Sequence, residues 1–145
     1  MAVDKQANVT WEGDLATGRG TIEDVGSGAI SGLPVTWAAR TGEQADLTSP
    51  EELIAAAHAS CFSMSLSLRL GKNDTPPQRL GVTATVTFVP GTGVTRSALV
   101  VEADVPGIDA SRFDELAEDA RVNCPVSQAL AGNVEITLQA TLASA

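Results

Sequence analysis

Cys61 and Cys124 are the only thiols in the chain and His58 is its only imidazole, so any nucleophilic or redox chemistry starts with these three side chains. Cys61 lies in the middle of an apolar run, a setting that raises a thiol pKa by desolvation unless a cation or a hydrogen-bond donor offsets it. Alone it would be inert. His58 falls one helical turn earlier on the same face and could act as a base or a charge partner. A lone histidine on an apolar helix is more often a satisfied core residue. Cys124 precedes Pro125, which disfavours helical geometry at the cysteine and can open a short helix through Val126 to Leu130. A thiol at such a helix N-terminus is stabilised as thiolate, so local physics makes Cys124 the more activated of the two. These residues by themselves do not rank the cysteines. His58, Cys61 and Cys124 could also supply three metal ligands, but His-x-x-Cys with one distant cysteine lacks the paired elements that make a zinc signal specific. No metal is expected.

The elements that must position these groups can be read from the pattern. Val3 to about Arg40 alternates apolar and polar residues in short runs broken by glycines, which predicts strands and hairpins with no helix. At Thr48-Ser49-Pro50-Glu51-Glu52, Ser49 can cap, Pro50 suits the first helical position and Glu52 completes a capping box. The helix that starts there is predicted to run to Leu70, with Gly71 as a left-handed stop. From Leu53 to Leu70 its ionisable side chains are His58, Cys61 and Arg69, so it is apolar nearly all round and must be covered on more than one side. A second subunit is the expected cover. Val82 to Phe88, the turn Gly91-Thr92-Gly93 and Ala98 to Val105 predict a hairpin. From Asp109 a helix carries Phe113, Leu116, Ala117 and Ala120 on one stripe, and Asn133 to Leu142 alternates as a closing strand. Strands, helix, strands, helix, strand is an α+β order, expected to fold as one domain over 1–145.

Composition narrows the function classes. The net charge of −9, from 18 acidic against 9 basic residues, repels phosphate backbones and anionic lipid surfaces, so nucleic acid is not an expected partner. No stretch approaches the unbroken apolar length of a membrane span, and the polar Asp4, Lys5, Gln6 and Asn8 do not resemble a secretory leader. The expected compartment is the cytosol, where two cysteines are not a structural disulfide framework. Two unrelated buried thiols are the bland alternative.

The stretch from Ser49 through Cys61 to Met64, SPEELIAAAHASCFSM, resembles the first cysteine helix of the OsmC/Ohr family, the osmotically inducible protein C and organic hydroperoxide resistance proteins. Asn123-Cys124-Pro125-Val126-Ser127 resembles the family's second cysteine motif. Trp11-Glu12-Gly13-Asp14 and Val105-Pro106-Gly107-Ile108-Asp109 are similar to the OsmC branch, so the likeness spans essentially the whole chain. Ser49 departs from the asparagine common in the family, but both residues cap helices.

The resemblance implies an OsmC-like intertwined homodimer, with antiparallel sheets around two central cysteine-bearing helices and two active sites at the subunit interface. It implies that Cys61 attacks an organic hydroperoxide, is oxidised to a sulfenic acid, and condenses with Cys124 to a disulfide that a dithiol, of lipoyl type by the family pattern, reopens. No organic cofactor is implied. An arginine should stabilise the thiolate and a glutamate near the start of the same helix should hold that arginine. The glutamate falls on Glu51; for the arginine, Arg40 matches the OsmC pattern and Arg19 the Ohr one, with Arg40 preferred. An arginine suits the task because its charge cannot be lost by deprotonation. Glu51 precedes Cys61 by about 15 Å along a straight helix, too far for one arginine to touch both comfortably. The rival reading is a non-enzymatic protein that binds a hydrophobic ligand, or senses redox state, in an apolar interface pocket.

Overall fold

A computed structural model describes residues 1–145, which divide into two compact units, Met1–Leu53 and Ile54–Ala145. The first unit is an antiparallel sheet of β1 (Ala7–Glu12), β2 (Arg19–Val25) and β3 (Ser31–Val35), in that order. Trp11 on β1 lies opposite Gly20 on β2, and a Cβ at Gly20 would come within 2.8 Å of the indole ring. Glycine at this position leaves the room that the indole ring occupies.

The expectation of no helix between Val3 and about Arg40 is corrected by α1 (Trp37–Thr41). Thr36 caps it by accepting a hydrogen bond from the Ala39 N–H at 3.0 Å, and Gly42 ends it in the left-handed region at φ 87°. A single turn bounded by caps has too few residues to show a helical period. Arg40 therefore sits on a helix and not on a strand.

Helix α2 (Pro50–Lys72) begins where the capping signals place it: the Glu52 N–H donates to Ser49 Oγ at 3.2 Å. The Glu52 carboxylate accepts from the Thr48 hydroxyl at 3.0 Å and does not turn back to the Ser49 backbone. Its end is corrected from Leu70. Asp74, at φ 58°, supplies the left-handed residue in place of Gly71. The Thr75 N–H returns to the Leu70 carbonyl and the Asp74 N–H to the Gly71 carbonyl, the paired closure of a Schellman motif.

In the second unit, β4 (Arg79–Val89) and β5 (Gly93–Asp104) form the expected antiparallel hairpin, and β6 (Glu135–Ser144) adds to β5 in parallel, giving the order β4-β5-β6. The two sheets are thus one antiparallel and one mixed. A parallel neighbour needs a crossover, which α3 (Ala110–Asn123) and α4 (Pro125–Leu130) provide. Asp109 caps α3, and its stripe of Phe113, Leu116, Ala117 and Ala120 is buried as predicted. That stripe shares one core with Leu99, Val101 and Ala103 of β5 and with Phe62, Leu66 and Leu70 of α2.

Only one stripe of α2 is covered. His58, Phe62, Leu66 and Leu70 are fully buried, whereas Met64 and Leu68, one turn apart, are 72% and 56% exposed. By length and composition α2 is also long and apolar enough to cross a membrane, a correction to the reading that no such stretch exists. Scattered serines and small residues interrupt its apolar run but leave its average high enough for a span. Its buried stripe carries a histidine that is hydrogen-bonded at both nitrogens, as expected of a helix packed within a protein core.

Candidate active site

The Cys61 thiol, half-buried on α2, has the Val126 backbone N–H and the Cys124 side chain as the neighbours that act on its acidity. Burial pushes its pKa above the ordinary 9.0, and Cys124 pushes it further; the Val126 N–H pulls the other way and does not win. No disulfide joins the two cysteines. With no cation among the groups that shift it, Cys61 is a protonated, weakly nucleophilic thiol at neutral pH.

Cys124 is fully buried between two helices, as the sequence pattern predicts. Its backbone, at φ −66° and ψ 138°, leaves helical geometry before Pro125; its N–H closes α3 on the Ala120 carbonyl, and its sulfur caps α4 by accepting from the Ser127 N–H at 3.3 Å. Its S–H also reaches Ser127 Oγ at 3.2 Å.

His58 is fully buried and held at both ring nitrogens: Nδ1 lies 2.6 Å from Ser97 Oγ and Nε2 lies 2.8 Å from Ser127 Oγ. Desolvation lowers its pKa below the ordinary 6.5, so the ring is neutral at physiological pH. Ser97 on the central strand β5 and Ser127 on α4 are themselves buried. Sequence reasoning missed both serines. Ser127 was legible only as the third residue after a cysteine that caps a helix, and Ser97 carries no motif at all.

In the first unit Arg40 and Glu51 form the ion pair that the resemblance requires of them. The Arg40 Nε and an Nη lie 2.9 and 2.8 Å from Glu51 Oε1, a side-on contact with a carboxylate that is 7% exposed. Glu51 Oε2 is buried without a hydrogen-bond partner. Arg40 also borders a cleft of about 170 Å³ with Trp11, Leu15, Val35, Trp37 and Pro50. Arg19 is exposed on β2 opposite Glu12, and lines an open depression of about 260 Å³ with Glu12 and Glu23; it does not pair with Glu51. No three His, Cys, Asp or Glu side chains come together as a metal would need.

The OsmC-like protein family model matches residues 42–139. The chain is 44% identical to the peroxiredoxin OsmC of Escherichia coli over 99% of its own length and 100% of that protein. It is 33% identical to the organic hydroperoxide resistance protein OhrA of Bacillus subtilis over 74% of this chain and 75% of OhrA. Among solved structures, an organic hydroperoxide resistance protein from Elizabethkingia anophelis superposes with a TM-score of 0.70 at 25% identity, covering 98% of this chain and 99% of that one. OhrB of Bacillus subtilis gives 0.66 at 25% identity, over 94% and 98%. Likeness of sequence along the whole chain and likeness of fold agree with the helix-borne Cys61, the capping Cys124 and the Arg40–Glu51 pair: the chain belongs to the OsmC/Ohr family.

Proposed function

We propose that this protein is a thiol peroxidase that reduces organic hydroperoxides to alcohols, with Cys61 as the attacking sulfur and Cys124 as its resolving partner. The observation that carries the reading is that Cys124, seated between α3 and α4, is close enough to Cys61 on α2 to raise its pKa, so the chain's two thiols are neighbours. Cys61 thiolate attacks the O–O bond, the alcohol leaves, and the sulfenic acid on Cys61 condenses with Cys124 to a disulfide and water. A small dithiol then reopens the disulfide, on the family pattern a lipoyl-type one.

Such chemistry needs a cation, because burial alone leaves Cys61 protonated. Arg40 is that cation in this reading and Glu51, which grips it, its holder. A homodimer completes the assembly: only 28% of the apolar stretch of α2 is buried within one chain, and a second copy covers the rest. The two units of the chain then serve one catalytic domain.

Phe62 and Leu66, close to Cys61 on α2, are fully buried core residues and do not line a substrate path. The apolar cleft beside Arg40, walled by Trp11, Leu15, Trp37 and Pro50, takes that role. An alkyl tail gains roughly 0.8 kcal/mol per buried CH₂, so two or three carbons give about 2 kcal/mol, or about thirtyfold in efficiency over hydrogen peroxide.

The deciding assay follows peroxide consumption with cumene hydroperoxide and dithiothreitol. Cys61→Ser abolishes turnover, whereas Cys124→Ser reacts once and stalls as a sulfenic acid that over-oxidises. First oxidation on Cys124 would reverse the order of attack, and a wild type that leaves the peroxide untouched would return the protein to the ligand-binding reading.

A further inference from the structure

The buried polar groups around Cys124 form one continuous chain. Cys124 S–H reaches Ser127 Oγ at 3.2 Å, Ser127 Oγ lies 2.8 Å from His58 Nε2, and His58 Nδ1 lies 2.6 Å from Ser97 Oγ. Cys124, His58, Ser97 and Ser127 are all at most 1% exposed, so this chain is shielded from solvent and each link is an internal contact. A hydroxyl has one proton to give. If Ser127 accepts from Cys124, its own proton points at Nε2, which must then be the bare nitrogen; the ring proton sits on Nδ1 and is donated to Ser97. Ser97, fixed on the central strand of the sheet, selects that tautomer.

We propose that His58 is a positioning base for the resolving step, taking the Cys124 proton through the Ser127 hydroxyl while Ser97 holds the ring in the accepting tautomer. This deepens the peroxidase reading and rests on it for the identity of the step. The Cys124 S–H proton passes to Ser127 Oγ as the Ser127 proton passes to Nε2. The electron pair left on Cys124 makes the S–S bond, the S–O bond of the Cys61 sulfenic acid breaks, and hydroxide leaves as water with a proton from solvent. The ring then gives its extra proton to solvent, so one sulfenic acid and one thiol become one disulfide and one water. After the transfer the same contacts run in reverse: Nε2–H donates to Ser127, and Ser127 donates to the thiolate. Burial serves the device by keeping the ring neutral, since a protonated imidazole could accept nothing. The titratable groups next to the relay are Cys124, joined through Ser127, and Cys61, one turn along α2; burial is the one cause that shifts the ring.

The test separates the two half-steps. Reduced wild type, His58→Gln and Ser127→Ala are mixed with one equivalent of cumene hydroperoxide, and quenched samples are resolved by mass spectrometry into thiol, sulfenic acid, sulfinic acid and disulfide. Attack at Cys61 is expected to stay within about threefold of wild type, while condensation slows by about a hundredfold, the usual span of a lost proton acceptor, and sulfinic acid accumulates. Heavy water is expected to slow condensation in the wild type and not in Ser127→Ala. Condensation at the wild-type rate in the variants overturns the proposal, as does an equal loss in both steps, which would mark His58 as packing alone. Should His58→Gln fail to fold, Ser127→Ala, one oxygen smaller, carries the same comparison. A parallel series with diamide, whose adduct on Cys61 must also be displaced by Cys124, needs no peroxide. Closure that depends on His58 with diamide, in a protein inert to hydroperoxide, would sink the peroxidase reading and leave the relay standing; closure independent of His58 would overturn the relay.

Discussion

Cys61 presents a conflict of magnitudes at the level of single atoms. Burial and the neighbouring Cys124 raise its pKa, and one backbone N–H is too little to offset them. An opposite charge within about 4–6 Å lowers a pKa by roughly one to three units, which is the scale required. With Arg40 as the proposed cation, Arg40→Ala is expected to move the midpoint of Cys61 alkylation upward by about one to three pH units and to slow peroxide attack accordingly, whereas Arg19→Ala leaves both unchanged. A shift produced by Arg19→Ala alone would transfer the role to Arg19. Much of this was legible: the residue types at 40, 51, 61 and 124 were identified from motif context, and the Arg40–Glu51 contact follows that assignment. The serines that complete the site were not legible. A hydroxyl has no hydropathy signature and no fixed spacing to its partner, and Ser97 meets His58 across 39 residues of chain.

Elements differ in how much of their making is local. The start of α2 is set within five residues, by Thr48, Ser49, Pro50 and Glu52, so the sequence announces it. Ser49→Ala should cost about 1 kcal/mol in chemical denaturation, since it orphans the Glu52 N–H that the hydroxyl accepts from. A change near zero would mean that the Thr48–Glu52 contact alone suffices. The end of α2 was misread because two residues competed for one task. Gly71 has the lower cost in the left-handed region, but Asp74 adopts it, and the Asn73 side chain and Thr75 hydroxyl, bonded to each other, close the turn around it. The parallel seating of β6 was equally hidden, because alternation reveals that a strand exists and says nothing of the direction of its neighbour.

For the molecule as a whole, acid should loosen the fold by way of one buried ring. The folded pKa of His58 lies below 6.5, so its contribution is present above the unfolded value and is lost as pH falls through the folded one. Stability is therefore expected to decline below about pH 6.5 with a slope of up to about 1.4 kcal/mol per pH unit, a component that His58→Gln removes. Urea titrations at several pH values measure it. Glu118 and Asp119, held low by Arg121 and Arg69, act only below their ordinary 4.5 and 3.8 and leave this window clear. A second expectation concerns assembly. Met64 and Leu68 protrude from α2, and Met64→Asp with Leu68→Asp should convert a light-scattering dimer into monomer with loss of peroxidase activity. An active monomer would remove the second subunit from the site.

The parallel pairing of β5 with β6 reaches beyond architecture to the order of events during synthesis. A ribosome releases α2 with Cys61 first, and the strand that flanks the α3–α4 crossover, residues 135–144, only after the crossover itself. Until then β5 lacks one neighbour, α3 lacks the strand it packs beside, and Cys124 has no settled place between its helices. Non-local parallel closure of this kind is slow compared with helix formation. The nascent chain is thus expected to seat Cys124 only once β6 has been made, so the strand that closes the sheet also settles the place of the proposed resolving cysteine.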